Sequence, residues 1–184
     1  MRLFVGIPLP EAVKQTISQL PDSTLPVRWT RPDAYHLTLI FIGEVQEPQA
    51  NEIRNALYEI TPMRGFDVEV ASVGCFPDRK KPKVLWTGVQ PHEPVAELHR
   101  QINRMLCTIK APKDEKKFHP HITFGRVKKP NRSITSYIES HSDKHFGHFT
   151  VSGFNLYSST LQPAGAVHTI IEHYPLEGNN ELNK

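Results

Sequence analysis

The sequence predicts an α+β fold of two lobes related by a pseudo-twofold axis, with antiparallel sheets around a central cleft and helices on the outside. Three observations predict it. Two short apolar runs, Tyr35-His36-Leu37-Thr38-Leu39 and Pro120-His121-Ile122-Thr123-Phe124, both read His-x-Thr-x. The order of strands and helices around the first run recurs around the second. The landmarks also recur at nearly one offset: Gly6 to Gly88 is 82 residues, His36 to His121 is 85, and Phe66 to Phe149 is 83. Differences of one to three residues are what changed loop lengths leave in a duplicated chain. Strands can be exchanged between lobes, so the sequence halves need not coincide with the structural ones.

Taken in order, Leu3 to Ile7 predicts a first strand, closed by Pro8 and Pro10, rather than a signal peptide. Glu11 to Leu20 predicts a helix with Val13, Ile17 and Leu20 on one face. Val27-Arg28-Trp29 is a short extended piece, and Tyr35 to Ile42 is the first motif strand, ended by Gly43. Pro48 to Ile60 predicts a helix, and Phe66 to Val73 alternates as a one-sided strand. The order then repeats: a strand over 84–89, a helix from Pro94 to about Ile109, and a Lys-rich loop from Lys110 to Lys117. The second motif strand follows, then a short helix from Arg132 to Glu139 and a strand from Phe149 to Tyr157 comparable to that at Phe66. A last strand, Val167 to His173, has no counterpart after the first half. One bilobal domain over 1–176 and a flexible polar tail over 177–184 are expected.

At 184 residues and 38% hydrophobic content the chain can bury one core. No apolar run approaches the roughly 20 residues that span a bilayer. Cys75 and Cys107 stand alone, without zinc spacing, and are expected as small core residues in a reducing compartment, the cytoplasm. A monomer is the default. The formal charge of +3 is unevenly spread. Between Arg79 and Arg132 there are 14 Lys+Arg against 4 Asp+Glu, and the remainder has 8 against 15. The basic stretch contains the second motif and suits an anionic partner.

In a strand, residues i and i+2 share a face, so each His projects with its Thr while Leu37, Leu39, Ile122 and Phe124 point into a core. Two imidazoles meeting across a cleft supply one general base and one general acid near neutral pH with no cofactor or metal. Arg126 lies five residues after His121, so strict alternation sets it on the opposite face. A bulge at Gly125 would bring it back. Phe41 has the same parity relative to His36 and is read as core; Trp29 and Tyr35 are read as core or lobe-interface aromatics, with stacking on a base the alternative.

The sequence resembles the two-histidine phosphoesterase superfamily, specifically the RNA 2′,3′-cyclic phosphodiesterases also called 2′-5′ RNA ligases. The resemblance covers nearly the whole chain. It is densest at Arg28-Trp29, at His36-Leu37-Thr38-Leu39-Ile40-Phe41-Ile42-Gly43, and at Phe118 to Arg126. It implies His36 as proton donor and His121 as proton acceptor, with Thr38, Thr123 and Arg126 holding the phosphate. The implied reaction opens an RNA or nucleotide 2′,3′-cyclic phosphate to a 2′-phosphomonoester without metal or ATP. The resemblance also implies ATP-independent 2′-5′ ligation, the joining of such an end to a 5′ hydroxyl.

Other readings have less behind them. His119 and His121 form a His-x-His, but Pro120 intervenes and no Cys or paired carboxylate lies near. His141, His145 and His148 read as a solvated turn. Ser158-Ser159-Thr160 lacks a nucleophile-elbow context, and no Walker-type loop is present. Two alternatives stay open: an RNA-binding module with vestigial chemistry, and a related phosphodiesterase for another substrate such as 2′-5′-linked oligonucleotides.

Overall fold

The computed structural model describes residues 1–60, 63–113, 117–162 and 165–178. The chain runs β1 (Arg2–Pro8), α1 (Glu11–Ile17), β2 (Val27–Trp29), β3 (His36–Glu44), α2 (Glu47–Ala56), β4 (Phe66–Phe76) and β5 (Val84–Gln90). It continues with α3 (His92–Thr108), β6 (His121–Val127), α4 (Arg132–Ser140), β7 (His145–Val151), β8 (Gly153–Gln162) and β9 (Gly165–Pro175). Single turns of 3₁₀ helix at Pro32–Ala34 and Leu57–Glu59 precede β3 and follow α2.

The strands form one antiparallel sheet in the order β7-β4-β5-β6-β3-β1-β8-β9, with β2 added beside β6. Its halves, β3-β1-β8-β9 and β6-β5-β4-β7, are related strand for strand as the duplication predicts. The exchange is real: β4, from the first sequence repeat, pairs with β5, and β8, from the second, pairs with β1. The two sheets meet edge to edge where Leu37 of β3 pairs with Ile122 of β6.

One connection forces the sheet to curl. β7 and β8 stand at and near opposite ends of the strand order, yet only Ser152 separates them. Laid flat, β7 and β8 would stand six strand spacings apart, about 29 Å, whereas a one-residue link reaches about 7 Å. The ends must therefore swing together, and Leu176 N–H donating to Ser152 O helps to fasten them. The helices carry their apolar stripes onto this sheet. Val95, Leu98, Ile102 and Leu106 of α3 are fully buried at helical spacing, as are Ile134 and Ile138 of α4. Asn131 starts α4 by accepting the Ile134 N–H at 3.0 Å. Among the described residues, no helix is long and apolar enough to cross a membrane.

Several expectations change. α1 stops at Ile17 rather than Leu20, because Pro21 disfavours helical geometry in the residue before it. The strand expected over 66–73 continues to Phe76, since a bulge at Ser72, with φ of +66°, resets its alternation. The single strand expected over 149–157 is two strands serving different halves of the sheet. His145 and His148 lie on β7 rather than in a turn, with His145 Nδ1 2.6 Å from Glu69. Cys75 is buried as expected, but Cys107 is exposed on the outer side of α3. Residues 114–116 of the Lys-rich loop and 179–184 of the tail lie outside the described residues. Glu177 donates its N–H to Met63 O and accepts from Gly65 N–H.

Shortening Ile102, which is fully buried, tests the core under α3. Ile102→Ala is expected to cost about 2–5 kcal/mol in urea unfolding, with an unchanged m-value.

Candidate active site

The antiparallel seam brings the two motifs together. Leu37 and Ile122 are paired and fully buried, so their neighbours on each strand face the other way, into the cleft. Continuing that register by one residue sets His36 beside Thr123 and Thr38 beside His121. A cleft of about 500 Å³ opens here, and His36, Thr38, Thr123 and Arg126 line it. His121 stands just outside that cavity, its ring edge-on to Phe76 at 4.9 Å.

Bulges decide what else reaches the cleft. On β6 the partners of Leu85 and Trp86 are Gly125 and Thr123, so Phe124 is passed over. Phe124 and Gly125 are both buried, and Arg126 emerges on the side of His121 and Thr123. Gly125 is required there: a Cβ would come within 2.8 Å of Val27 and 3.0 Å of Trp29. β3 does the same, with Leu39 and Ile42 passed over in its pairing with β1. Phe41 is consequently not a core residue. It is 45% exposed, lies 5.8 Å from Phe4 and lines the cleft. Trp29 is half-buried, stacked on Phe124 at 6.0 Å, and lines the cleft as well. Tyr35 is buried as expected, and burial pushes its hydroxyl up to about 12.

Both histidines are oriented alike. His36 Nδ1 lies 2.8 Å from Ala34 O, and His121 Nδ1 lies 2.6 Å from His119 O. A carbonyl can only accept, so Nδ1 carries the hydrogen in each ring. In the neutral rings Nε2 then holds the lone pair. The His119–His121 spacing thus serves to aim His121. Burial lowers the His36 pKa to about 4, with nearby His168 and His121 adding to the shift and the Ala34 carbonyl opposing it. Burial also lowers that of His121, against the His119 carbonyl.

Sequence reasoning missed His168. Its ring stands edge-on to His36 at 5.0 Å, and its Nδ1 is buried without a hydrogen-bond partner. Its only sequence signal was a place in the last predicted strand; the approach depends on the β8–β9 hairpin curling over the cleft. Phe4, 4.7 Å from His36, and Arg2 and Arg28 on the cleft wall were also assigned no role.

Two histidines and two threonines from duplicated strands over one cleft define a two-histidine esterase architecture. The family model for LigT-like phosphoesterases matches the chain twice in succession, over residues 7–86 and 88–168. An RNA 2′,3′-cyclic phosphodiesterase of Methanocaldococcus jannaschii is 30% identical over 95% of this chain and 100% of its own. The crystal structure of TT0787 of Thermus thermophilus superposes with a TM-score of 0.79 at 27% identity, covering 97% of this chain and 100% of that one. Escherichia coli LigT complexed with 3′-AMP shares the fold, with a TM-score of 0.78 at 22% identity over 95% and 97%. The chain belongs to the LigT-like phosphoesterase family and is a phosphoesterase, a hydrolase.

The buried rings make stability depend on pH. The unfolded chain takes up a proton at His36 near its ordinary value of 6.5, the folded chain only near 4. Folding is therefore unopposed by this group above 6.5 and loses stability as pH falls from 6.5 toward 4. Thermal unfolding followed over that window should show a shallower acid loss in His36→Gln than in the unmodified chain.

Proposed function

We propose that this chain hydrolyses RNA or nucleotide 2′,3′-cyclic phosphate ends to 2′-phosphomonoesters, by metal-independent acid–base catalysis within one bilobal unit over 1–176. The observation that carries this is the pair of equivalently aimed imidazoles on symmetry-related strands, each with a threonine beside it in the cleft. The substrate class follows the family's relatives and the nucleotide bound by the E. coli protein.

Cyclic phosphate sits between the two motif strands. Thr38 and Thr123 hydroxyls and the Arg126 guanidinium hold the non-bridging oxygens, offsetting charge that grows at phosphorus. His121 Nε2 removes a proton from water as its oxygen attacks in line. The bond to the ribose 3′ oxygen breaks, and His36 Nε2 delivers a proton to that oxygen. The products are a 2′-phosphomonoester and a 3′ hydroxyl. With a 5′ hydroxyl in place of water the same step, with the same roles for the two rings, leaves a 2′-5′ linkage and a 3′ hydroxyl. Phe41, exposed beside the cleft, offers a face for the terminal base.

Turnover of a short RNA with a 2′,3′-cyclic end, in EDTA and across about pH 5 to 9, tests the reading. His36→Ala and His121→Ala should each lower kcat by about 10²- to 10⁴-fold. Because burial depresses both rings, kcat/KM should peak on the acid side of 6.5. kcat should peak at higher pH, since a bound anion favours imidazolium. Full activity in the double alanine variant sinks the proposal.

The roles of the two rings need a separate measurement. A substrate with sulfur in place of the 3′ bridging oxygen releases a thiolate that needs no proton. His36→Ala should regain activity on it, and His121→Ala should not. The opposite pattern would exchange the assignments.

A further inference from the structure

The two ends of the cleft differ in chemistry: among the described residues Arg2 is the cation lining it at the Phe41 end, whereas Arg28 and Arg126 stand side by side at the other. β3 and β6 are antiparallel, so the residues five places after each histidine lie at opposite ends: Phe41 at one and Arg126 at the other. At the Arg126 end, Arg28 of β2 is paired directly across from Arg126. Both are exposed and both line the cleft. Directly opposed residues in an antiparallel ladder hold their Cβ atoms about 4.5–5.5 Å apart, where like charges are destabilising. Arg31, nearby, has its charge offset by Asp33, with Nε 3.1 Å from Oδ1. Among the described residues, Arg28 and Arg126 have no such acidic partner.

The cationic row continues past the cleft. Lys128 N–H donates to Pro26 O at 2.8 Å, extending the β2–β6 pairing by two residues. Strand alternation then places Lys128 on the Arg126 side. Lys83, whose carbonyl accepts from Val127 N–H at 2.9 Å, stands at the same strand end, and both lysines are exposed. Lys83, Arg126 and Lys128 all come from the basic 79–132 stretch. A cyclic phosphate diester carries a single negative charge, which leaves Arg28, Lys128 and Lys83 unanswered.

We propose that Arg28 and Lys128, continuing from Arg126, form a second anion subsite that takes the internucleotide phosphate on the 5′ side of the cyclic end. The protein thereby selects oligonucleotide ends over mononucleoside cyclic phosphates. The inference rests on reading the cleft as a cyclic phosphate site, and it assigns the direction in which the rest of the RNA leaves: past Arg28 rather than past Phe41.

The test compares kcat/KM for a nucleoside 2′,3′-cyclic phosphate with that for a trinucleotide ending in the same group, between about 50 and 200 mM salt. The unmodified chain should prefer the trinucleotide by about tenfold, the worth of a charged hydrogen bond, and less so at higher salt. Arg28→Gln combined with Lys128→Gln should remove the preference and leave the mononucleotide within about twofold. Equal losses on both substrates, or no preference in the unmodified chain, would overturn the inference. Fluorescence anisotropy with a labelled trinucleotide bearing a plain 3′ hydroxyl reads the subsite without chemistry. The double variant should bind it about tenfold more weakly, and unchanged binding would also overturn the inference. Absence of turnover on both substrates would refute the cyclic phosphate reading, with the anisotropy result alone then deciding for or against the subsite.

Discussion

The pairing of Leu37 with Ile122 is the contact on which the rest of the site depends. It turns two four-stranded halves into one sheet and fixes the antiparallel relation that makes them pseudo-symmetric. Both residues are fully buried, which pins the register. A slip of one residue on either strand would send that strand's histidine and threonine into the core and its leucine or isoleucine into the cleft. The hydrophobic effect on the covered face therefore holds the polar groups in place on the open one. Catalytic geometry of this kind needs no dedicated scaffold beyond correct alternation.

Alternation alone would give a poorer cleft. Strict period two allows each motif to present only its histidine and threonine, and everything at odd spacing is lost to the core. The bulges at Leu39 and Phe124 each advance the strand by one residue and return Phe41 and Arg126 to the open side. Each half thus adds a third group at the same distance from its histidine, and the two groups are chemically different. A pseudo-symmetric cleft is thereby given Phe41 at one end and Arg126 at the other, an asymmetry that suits the nucleotide proposed to bind there.

The sequence carried the motifs and the duplication because these are local alternation and spacing, which survive without knowledge of contacts. It only allowed for the strand exchange, which depends on which strands pair. The bulge at Gly125 was legible for a local reason, since a glycine in a strand marks such a place. The bulge before Phe41 was not, because Leu39 and Ile40 are ordinary strand residues and only the pairing with β1 reveals the skip. β7 and β8 read as one strand although Ser152-Gly153 is a turn-type dipeptide, because apolar Val151 and Phe154 continue across it; their separation follows from which halves they join. His168 was invisible for a third reason. It comes 132 residues after His36, and only the curl of the sheet brings the two rings together.

That curl also breaks the symmetry between the two motif histidines. His36 is packed by Phe4 and edge-on by His168, whereas His121 has Phe76 and Trp86 around it. Burial lowers both pKa values, that of His36 to about 4. In the free protein near neutral pH both rings are then neutral, the state in which His121, the proposed acceptor, can take a proton at once. His36, the proposed donor, must be charged before it can donate. In the proposed reaction an anionic substrate lying against it would supply that stabilisation, linking protonation to binding. Once charged in such surroundings, His36 would be a stronger acid than an exposed imidazole, which favours transfer to a departing alkoxide. The burial that disfavours the resting imidazolium is thus the same feature that suits His36 to the donor role proposed for it.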